Sequence, residues 1–328
     1  MLSRVAESIY WMARYVERAE NLCRYVDVTL NLILDQPIGA GQQWEPLVST
    51  TGDQEYFNEH YETTDADSVI QFLTFDRDYP NSIISSLRIA RENARSVRET
   101  ISSESWEALN EFYHFVLAAT NNGGRVESPS EFFRTVRQYS QLFGGVVDAT
   151  MAHGESWNFY NMGRMLERAD KTTRILDVKY FTLLPSIADV GTPIDDLQWS
   201  AVLQSVSGLE TYRKRYHGLT VPRIIEFLIL DRAFPRAVSY CLTAADNSLH
   251  GITGAPTGEF CNSAEQRLGL LRSELAFMRV EEIVDNGLHQ FIDSLQRKMN
   301  SASKCIHETF FALRPVESLT MSQNQSQG

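Results

Sequence analysis

The chain matches itself, and this self-match limits what it can fold into more than any other feature. Shifted by 150 residues, Tyr10, Met12, Arg14, Glu17, Arg18, Ala19, Arg24, Asp27 and Val28 fall on Tyr160, Met162, Arg164, Glu167, Arg168, Ala169, Arg174, Asp177 and Val178, with Glu20 on Asp170. Shifted by 155, Gln43 and Trp44 fall on Gln198 and Trp199, Glu55 on Glu210, and Tyr61 on Tyr216. The same shift carries Ile70, Phe72, Leu73, Asp76, Arg77 and Pro80 onto Ile225, Phe227, Leu228, Asp231, Arg232 and Pro235. Five extra residues in the first loop of the second segment account for the change of offset. The expectation is a tandem duplication, with copies at about 2–150 and 152–313, packed with pseudo-two-fold symmetry.

The unit that repeats is helical. Val5, Met12, Val16, Ala19, Cys23, Val26 and Leu30 recur on one stripe of a helix over 2–34, which ends at the breaker cluster Pro37-Ile38-Gly39-Ala40-Gly41. Similar spacing predicts helices over 81–102, 104–120, 129–151, 155–184, 195–217, 222–232, 234–247, 259–285 and 287–313, with Pro80 opening the second of these. Pro185 to Pro193 reads as a linker and Gly251 to Gly258 as a turn cluster. No alternation of strands and helices occurs, so the predicted class is all-α: a bundle of about nine to twelve helices. Residues 1–315 form one domain in this reading, and 316–328, rich in Ser and Gln, a disordered tail.

The polar face of the first helix is the candidate site. Glu7, Tyr10, Arg14, Arg18 and Asn21 lie within about 40° of one line at 100° per residue, with Glu17 at its edge. Exposed pairs such as Arg14–Glu17 and Glu20–Arg24 contribute only about 0–1 kcal/mol, so folding alone gives no reason to repeat them. Both segments nevertheless carry the string R-x-x-E-R-A-E/D. The face is therefore expected to be at least partly buried, with Arg14, Glu17 and Arg18 meeting Arg164, Glu167 and Arg168 or lining a shared cleft. Two readings stay open: a structural ion-pair network, and a site whose arginines hold a carboxylate or phosphate. The second repeated string, F/L-D-R-x-Y/F-P at Phe75–Pro80 and Leu230–Pro235, predicts an Asp cap and an aromatic staple on the next helix. Arg77 and Arg232 within it are further ligand-binding candidates reaching for the polar interior.

Composition narrows the function. Net charge is −12, which disfavours nucleic acid as a partner. Much of it sits in 35–78, where Asp35, Glu45, Asp53, Glu55, Glu59, Glu62, Asp65, Asp67, Asp76 and Asp78 face only Arg77. No apolar run is long enough to span a membrane, and the first 21 residues are too charged for a signal peptide. Cys23, Cys241, Cys261 and Cys305 form no CxxC pair, which fits a reduced, cytoplasmic protein. The seven histidines show no metal-ligand spacing, and no phosphate loop or nucleophile elbow occurs, so neither a metal nor a cofactor is expected. If there is catalysis, Glu17 and Glu167 are the candidate general bases.

The stretch 1–28 (MLSRVAESIYWMARYVERAENLCRYVDV) resembles the opening of the bacterial alpha-E domain family, an all-helical family whose chemistry is largely uncharacterised. Residues 154–181 and 221–241 resemble its later motifs, and the resemblance covers about 1–315. It implies recurrent functional glutamates, which map best onto Glu7, Glu17, Glu20, Glu155 and Glu167; Asp170 departs by one shorter carboxylate arm. It also implies a circularly permuted ATP-grasp protein as partner, with a transglutaminase-like peptidase as a second. On that footing the chain is expected to be an accessory or ligand-binding component of a peptide-ligation or peptide-modification system. The alternatives are an aminoacyl or peptidyl transferase in its own right, or a pure helical scaffold.

Overall fold

The computed structural model describes residues 1–34, 44–124, 126–181 and 192–312. Among these the chain is helical throughout, and its sole β pairing is an isolated bridge between Thr257 and Glu259. The long helices are α1 (Ser3–Leu34), α5 (Ile83–Ser96), α6 (Ser103–Asn121), α7 (Pro129–Thr150), α8 (Glu155–Phe181), α9 (Pro193–Ser205), α12 (Val238–Thr253), α13 (Ser263–Phe277) and α15 (Leu288–Phe310). Short helices fill the gaps: α2 (Glu45–Thr51), α3 (Gln54–His60), α4 (Ala66–Ile70), α10 (Leu209–Arg215), α11 (Val221–Ile225) and α14 (Val280–Asn286). Fifteen α-helices therefore stand where nine to twelve were expected. The excess comes from helices of five to seven residues, too short to leave a periodic pattern.

α1 and α8 form the central pair. α1 is covered by α5 and α7, and α6 packs across both; α8 is covered by α12 and α15, and α13 packs across both. A continuous apolar cluster runs from Ala6 to Phe311. The expected apolar stripe lies in it, with Met12, Val16, Cys23 and Val26 all buried. The opposite face of α1 is buried too: Glu17, Glu20, Asn21 and Arg24 are each under 5% exposed.

α4 and α11 each widen into a π turn, Gln71–Phe75 and Glu226–Leu230, before the chain turns sharply. The D-R-x-Y/F-P string builds that turn and does not cap the following helix. Asp76 Oδ1 accepts from the backbone N–H of Asp78 and Tyr79, and Asp231 Oδ1 from those of Ala233 and Phe234. α5 starts at Ile83, not Pro80, because Ser82 is the residue whose hydroxyl accepts from Ser85 N–H. Three other boundaries move. The helix expected over 195–217 breaks near Ser207, which holds φ at 53°, and the one over 259–285 breaks between Phe277 and Val280. α12 runs through Gly251, Ile252 and Thr253 and stops at Gly254, which adopts the left-handed conformation. Pro37–Gly41, most of the 185–193 linker and the 316–328 tail lie outside the described residues.

α1 and α8 approach most closely at Gly163, where an added Cβ would fall 2.5 Å from the Tyr10 carbonyl oxygen. The clash is with backbone, so it cannot be relieved by a rotamer change. Alanine normally stabilises a helix interior by roughly 0.5–1 kcal/mol over glycine. Here we expect Gly163→Ala to lower stability by about 1–3 kcal/mol, the usual cost of overpacking, measured as a drop in urea midpoint.

Candidate functional site

The charged faces of α1 and α8 meet in the interior. Contacts advance in the same direction along both helices, from Tyr10 beside Gly163, through Arg14, Glu17 and Arg18, to the Tyr25 hydroxyl, which donates to the Lys171 carbonyl. The pairing is reciprocal. Arg14 Nε donates to Glu167 Oε2 at 2.8 Å and Arg18 Nε to Glu167 Oε1 at 2.8 Å. In return Arg168 donates through Nε and Nη2 to the two oxygens of Glu17, at 2.9 and 2.8 Å. Arg14 therefore pairs with Glu167 and not with Glu17, whereas the Glu20–Arg24 pair forms as expected at 2.7 Å.

Burial by itself raises a carboxyl's pKa, and here the arginines overcome it. Glu17 is held far below the ordinary carboxylate range by Arg168 and then Arg236, against the opposing effect of burial. Glu167 is likewise held low against burial by Arg18, Arg14 and Lys171. Glu20 and Asp170 are lowered too, opposed by burial and helped mainly by Arg236 and Lys171 respectively. All four carboxylates are thus charged at neutral pH, and each is bonded to an arginine.

A cavity lies on either side of the central pair. The smaller, about 230 Å³, is bounded by Arg14, Arg18, Glu167, Lys171, Arg174 and Asp53. There Arg18 also donates to Asn81 Oδ1 at 2.7 Å, and Asp53 accepts from Tyr79 and Asn81. The larger, about 500 Å³, is bounded by Glu17, Glu20, Arg24, Arg164, Arg168 and Arg236, with Ser140, Asp148 and Ser207. Arg236 stands 155 residues after Asn81 and reaches deeper. It donates to Glu17 Oε1 and Asn21 Oδ1 at 3.1 Å each and to Glu20 Oε1 at 2.5 Å.

This substitution leaves Arg164 over. Its counterpart Arg14 is bound to Glu167, but the equivalent place on Glu17 is taken by Arg236. Arg164 donates only to Asn161 Oδ1, at 3.2 Å, and lies 5.4 Å from the Tyr160 ring centre. Its Nε is buried without a hydrogen-bond partner. Among the described groups lining the larger cavity, four arginines face three carboxylates.

The remaining candidates lie elsewhere. Arg77 and Arg232 are exposed and do not enter the polar interior: they donate to Asn121 Oδ1 and to the Ala276 carbonyl, because the tight turn after each π turn points them outward. Glu7 borders a separate groove with Trp11 and Tyr15 and sits 4.0 Å from His307. Glu155 is exposed at the start of α8. Arg236, Asn81 and Asp53 were not foreseen. Their one signal is negative: at 81 and 236, beside a strongly matching string, the two segments differ as Asn and Arg. Among the described residues no group of three or more His, Cys, Asp or Glu is arranged to hold a metal ion.

An all-helical domain held at its centre by reciprocal Glu–Arg pairs is the class of protein these observations define. The chain belongs to the Alpha-E family, described as a predicted alpha-helical domain with a conserved ER motif, which it matches over residues 1–311. The dipeptide stands twice here, as Glu17-Arg18 and Glu167-Arg168. Similar proteins include uncharacterised ones of Mycobacterium bovis and of Mycobacterium tuberculosis strain H37Rv, each 24% identical over 272 residues. These matches cover 77% of this chain but only 30% of each relative's length. No solved structure matches the chain.

Carboxylates whose pKa is depressed by folding stabilise the native state above their unfolded pKa, about 4.3 for Glu, and that stabilisation is lost as pH falls below it. The urea midpoint should therefore hold from neutral pH to about 5 and then fall steeply. Glu167→Gln should cost about 3–5 kcal/mol at pH 7, because it leaves Arg14 and Arg18 buried without their charge partner, and should flatten the acid limb of the same titration.

Proposed function

We propose that this chain is an accessory, ligand-binding component of an ATP-grasp-linked peptide-ligation or peptide-modification system, and that its larger central cavity holds a carboxylate or phosphate of the ligand. Arg164 is the observation that carries the reading. A guanidinium inside a cavity, with no carboxylate partner among the described residues and a buried, unbonded Nε, is a ready partner for an anionic ligand. Serine hydroxyls at 140 and 207 and the other three arginines add donors around the same space. The link to an ATP-grasp protein, and to a transglutaminase-like peptidase, rests on the family resemblance. Four free cysteines agree with work in the cytoplasm, and no described helix is long and apolar enough to cross a membrane.

The tandem-repeat reading has support in local structure as well. α3 and α10, α4 and α11, and the two π turns each begin 155 residues apart and have equal lengths. On this reading the two central cavities are versions of one site, of which only the larger keeps an arginine available. The transferase alternative fares less well, since Glu17 and Glu167 are each engaged by arginines and held strongly acidic, which makes them weak general bases.

Isothermal titration with L-glutamate and, separately, with inorganic phosphate tests the proposal. Arg164→Gln should weaken binding of the preferred anion at least about tenfold, the worth of one charge-assisted hydrogen bond, with little change in Tm. Unchanged affinity in this variant, or no binding of either anion by the native chain, removes the anion site. Co-purification of the tagged chain with a circularly permuted ATP-grasp protein tests the partner separately.

A further inference from the structure

Six buried side-chain atoms among the described residues lack a hydrogen-bond partner, and three of them are carboxylate oxygens lining one small cavity far from the α1–α8 pair in sequence: Asp246 Oδ1, Asp246 Oδ2 and Glu265 Oε1. Buried polar atoms are rarely left unbonded, because each costs about 1–3 kcal/mol, and more when charged. Three in one place call for a ligand or a structural reason.

The structural reasons go only part of the way. Glu265 has a local role: Asn262 Oδ1 accepts from its N–H at 3.0 Å, and its own Oε2 accepts from Cys261 N–H at 2.5 Å, which together cap α13. That role uses Oε2 and leaves Oε1 idle. Asp246 is fully buried. Arg272 Nη1 stands 3.1 Å from its Oδ2 as an ion pair but not in line for a hydrogen bond. His250 faces its Oδ1 at 3.7 Å through Nε2, while Nδ1 lies 3.0 Å from the Ala255 carbonyl. A carbonyl can only accept, so the neutral ring keeps its proton on Nδ1 and gives Asp246 none.

The surroundings favour a cation with an apolar part. The cavity, about 220 Å³, has Asp246, Glu259 and Glu265 in its wall against a single permanent cation, Arg272. It opens beside the end of α12 at Thr253, and a helix C-terminus favours positive charge. Phe260 and Leu270, 59% and 60% exposed, form an apolar rim. An ammonium group has three N–H donors and no acceptor, matching three idle acceptors in number and kind. A metal ion is the poorer fit, since no metal-holding group of side chains is present among the described residues.

We infer that the cavity between α12 and α13 binds a protonated primary amine bearing a short apolar group, with Asp246 as its counter-ion, Glu265 Oε1 as a second acceptor, and Phe260 and Leu270 against its apolar end. This site is independent of the anion cavity at Arg164 and stands or falls separately from it. An N-terminal amine or a lysine side chain of a peptide has this chemistry.

The test is a titration of the whole chain with n-butylammonium chloride, followed by NMR of the leucine methyl groups, with uncharged n-butanol as control. The expected result is a saturable shift of the Leu270 methyls, at least fivefold weaker with n-butanol. Asp246→Asn should abolish it. Phe260→Arg, a change at an exposed position that leaves folding intact, should weaken it several-fold by placing a positive charge at the mouth. Equal binding of butanol and butylammonium, shifts confined to leucines away from this cavity, or native affinity in Phe260→Arg would each overturn the inference.

Discussion

Two glutamates buried at the centre of a helical protein set the terms for everything around them. A carboxylate taken out of water costs several kcal/mol unless it is met by charge and hydrogen bonds. Glu17 and Glu167 are met from the neighbouring helix, each by the arginine face of the other segment. An apolar interface of equal volume would give similar or greater stability, so the value of the network lies in selection among packings. A slip of α1 past α8 by one turn would separate Arg14 and Arg18 from Glu167 and strand buried charge. The apolar stripe, with its broad tolerance for aliphatic shapes, could not impose that penalty. The close approach at Gly163 acts in the same sense, because only there can the Tyr10 carbonyl be accommodated without a Cβ in the way.

How much of this could be read from the sequence follows from what a repeat does and does not encode. The R-x-x-E-R strings were legible because a polar pattern kept on two helices has little use in solvent, and the burial of Glu17, Arg24 and Glu167 bears out the expectation of a protected face. Reciprocity was legible only as a meeting of the two helices; that Arg14 would leave Glu17 for Glu167 depends on the parallel direction of the pair, which spacing along one chain does not contain. The assignments at Arg77 and Arg232 failed for a local reason. Both sit in turns that follow a π widening, and one extra residue in a helical turn is enough to send a side chain outward. Short helices such as α3 and α10 left no periodic signal, and their positions emerge from aromatic packing, as where Phe57 and Tyr212 lie against Phe72 and Phe227.

Asp246 and Glu265 mark another limit. They are 19 residues apart, separated by a turn, and belong to no motif. What distinguishes them is a shortage of partners, which is a property of the folded interior and cannot be seen in composition or spacing.

The difference between the two central cavities turns on one position. In the first segment Asn81 is neutral and short, so it accepts from Arg18 and leaves Glu167 to be satisfied by both arginines of the facing helix. In the second segment Arg236 occupies the corresponding place, brings its own charge to Glu17 and Glu20, and displaces one facing arginine from the network. Both carboxylate centres are then fully paired, yet the larger side retains an extra cation. Electrostatic symmetry between the segments would have produced two closed ion-pair clusters with nothing to offer a ligand. Breaking it at a single residue leaves the central pairs intact and concentrates the surplus positive charge at Arg164, inside a space large enough for a small molecule or the end of a peptide.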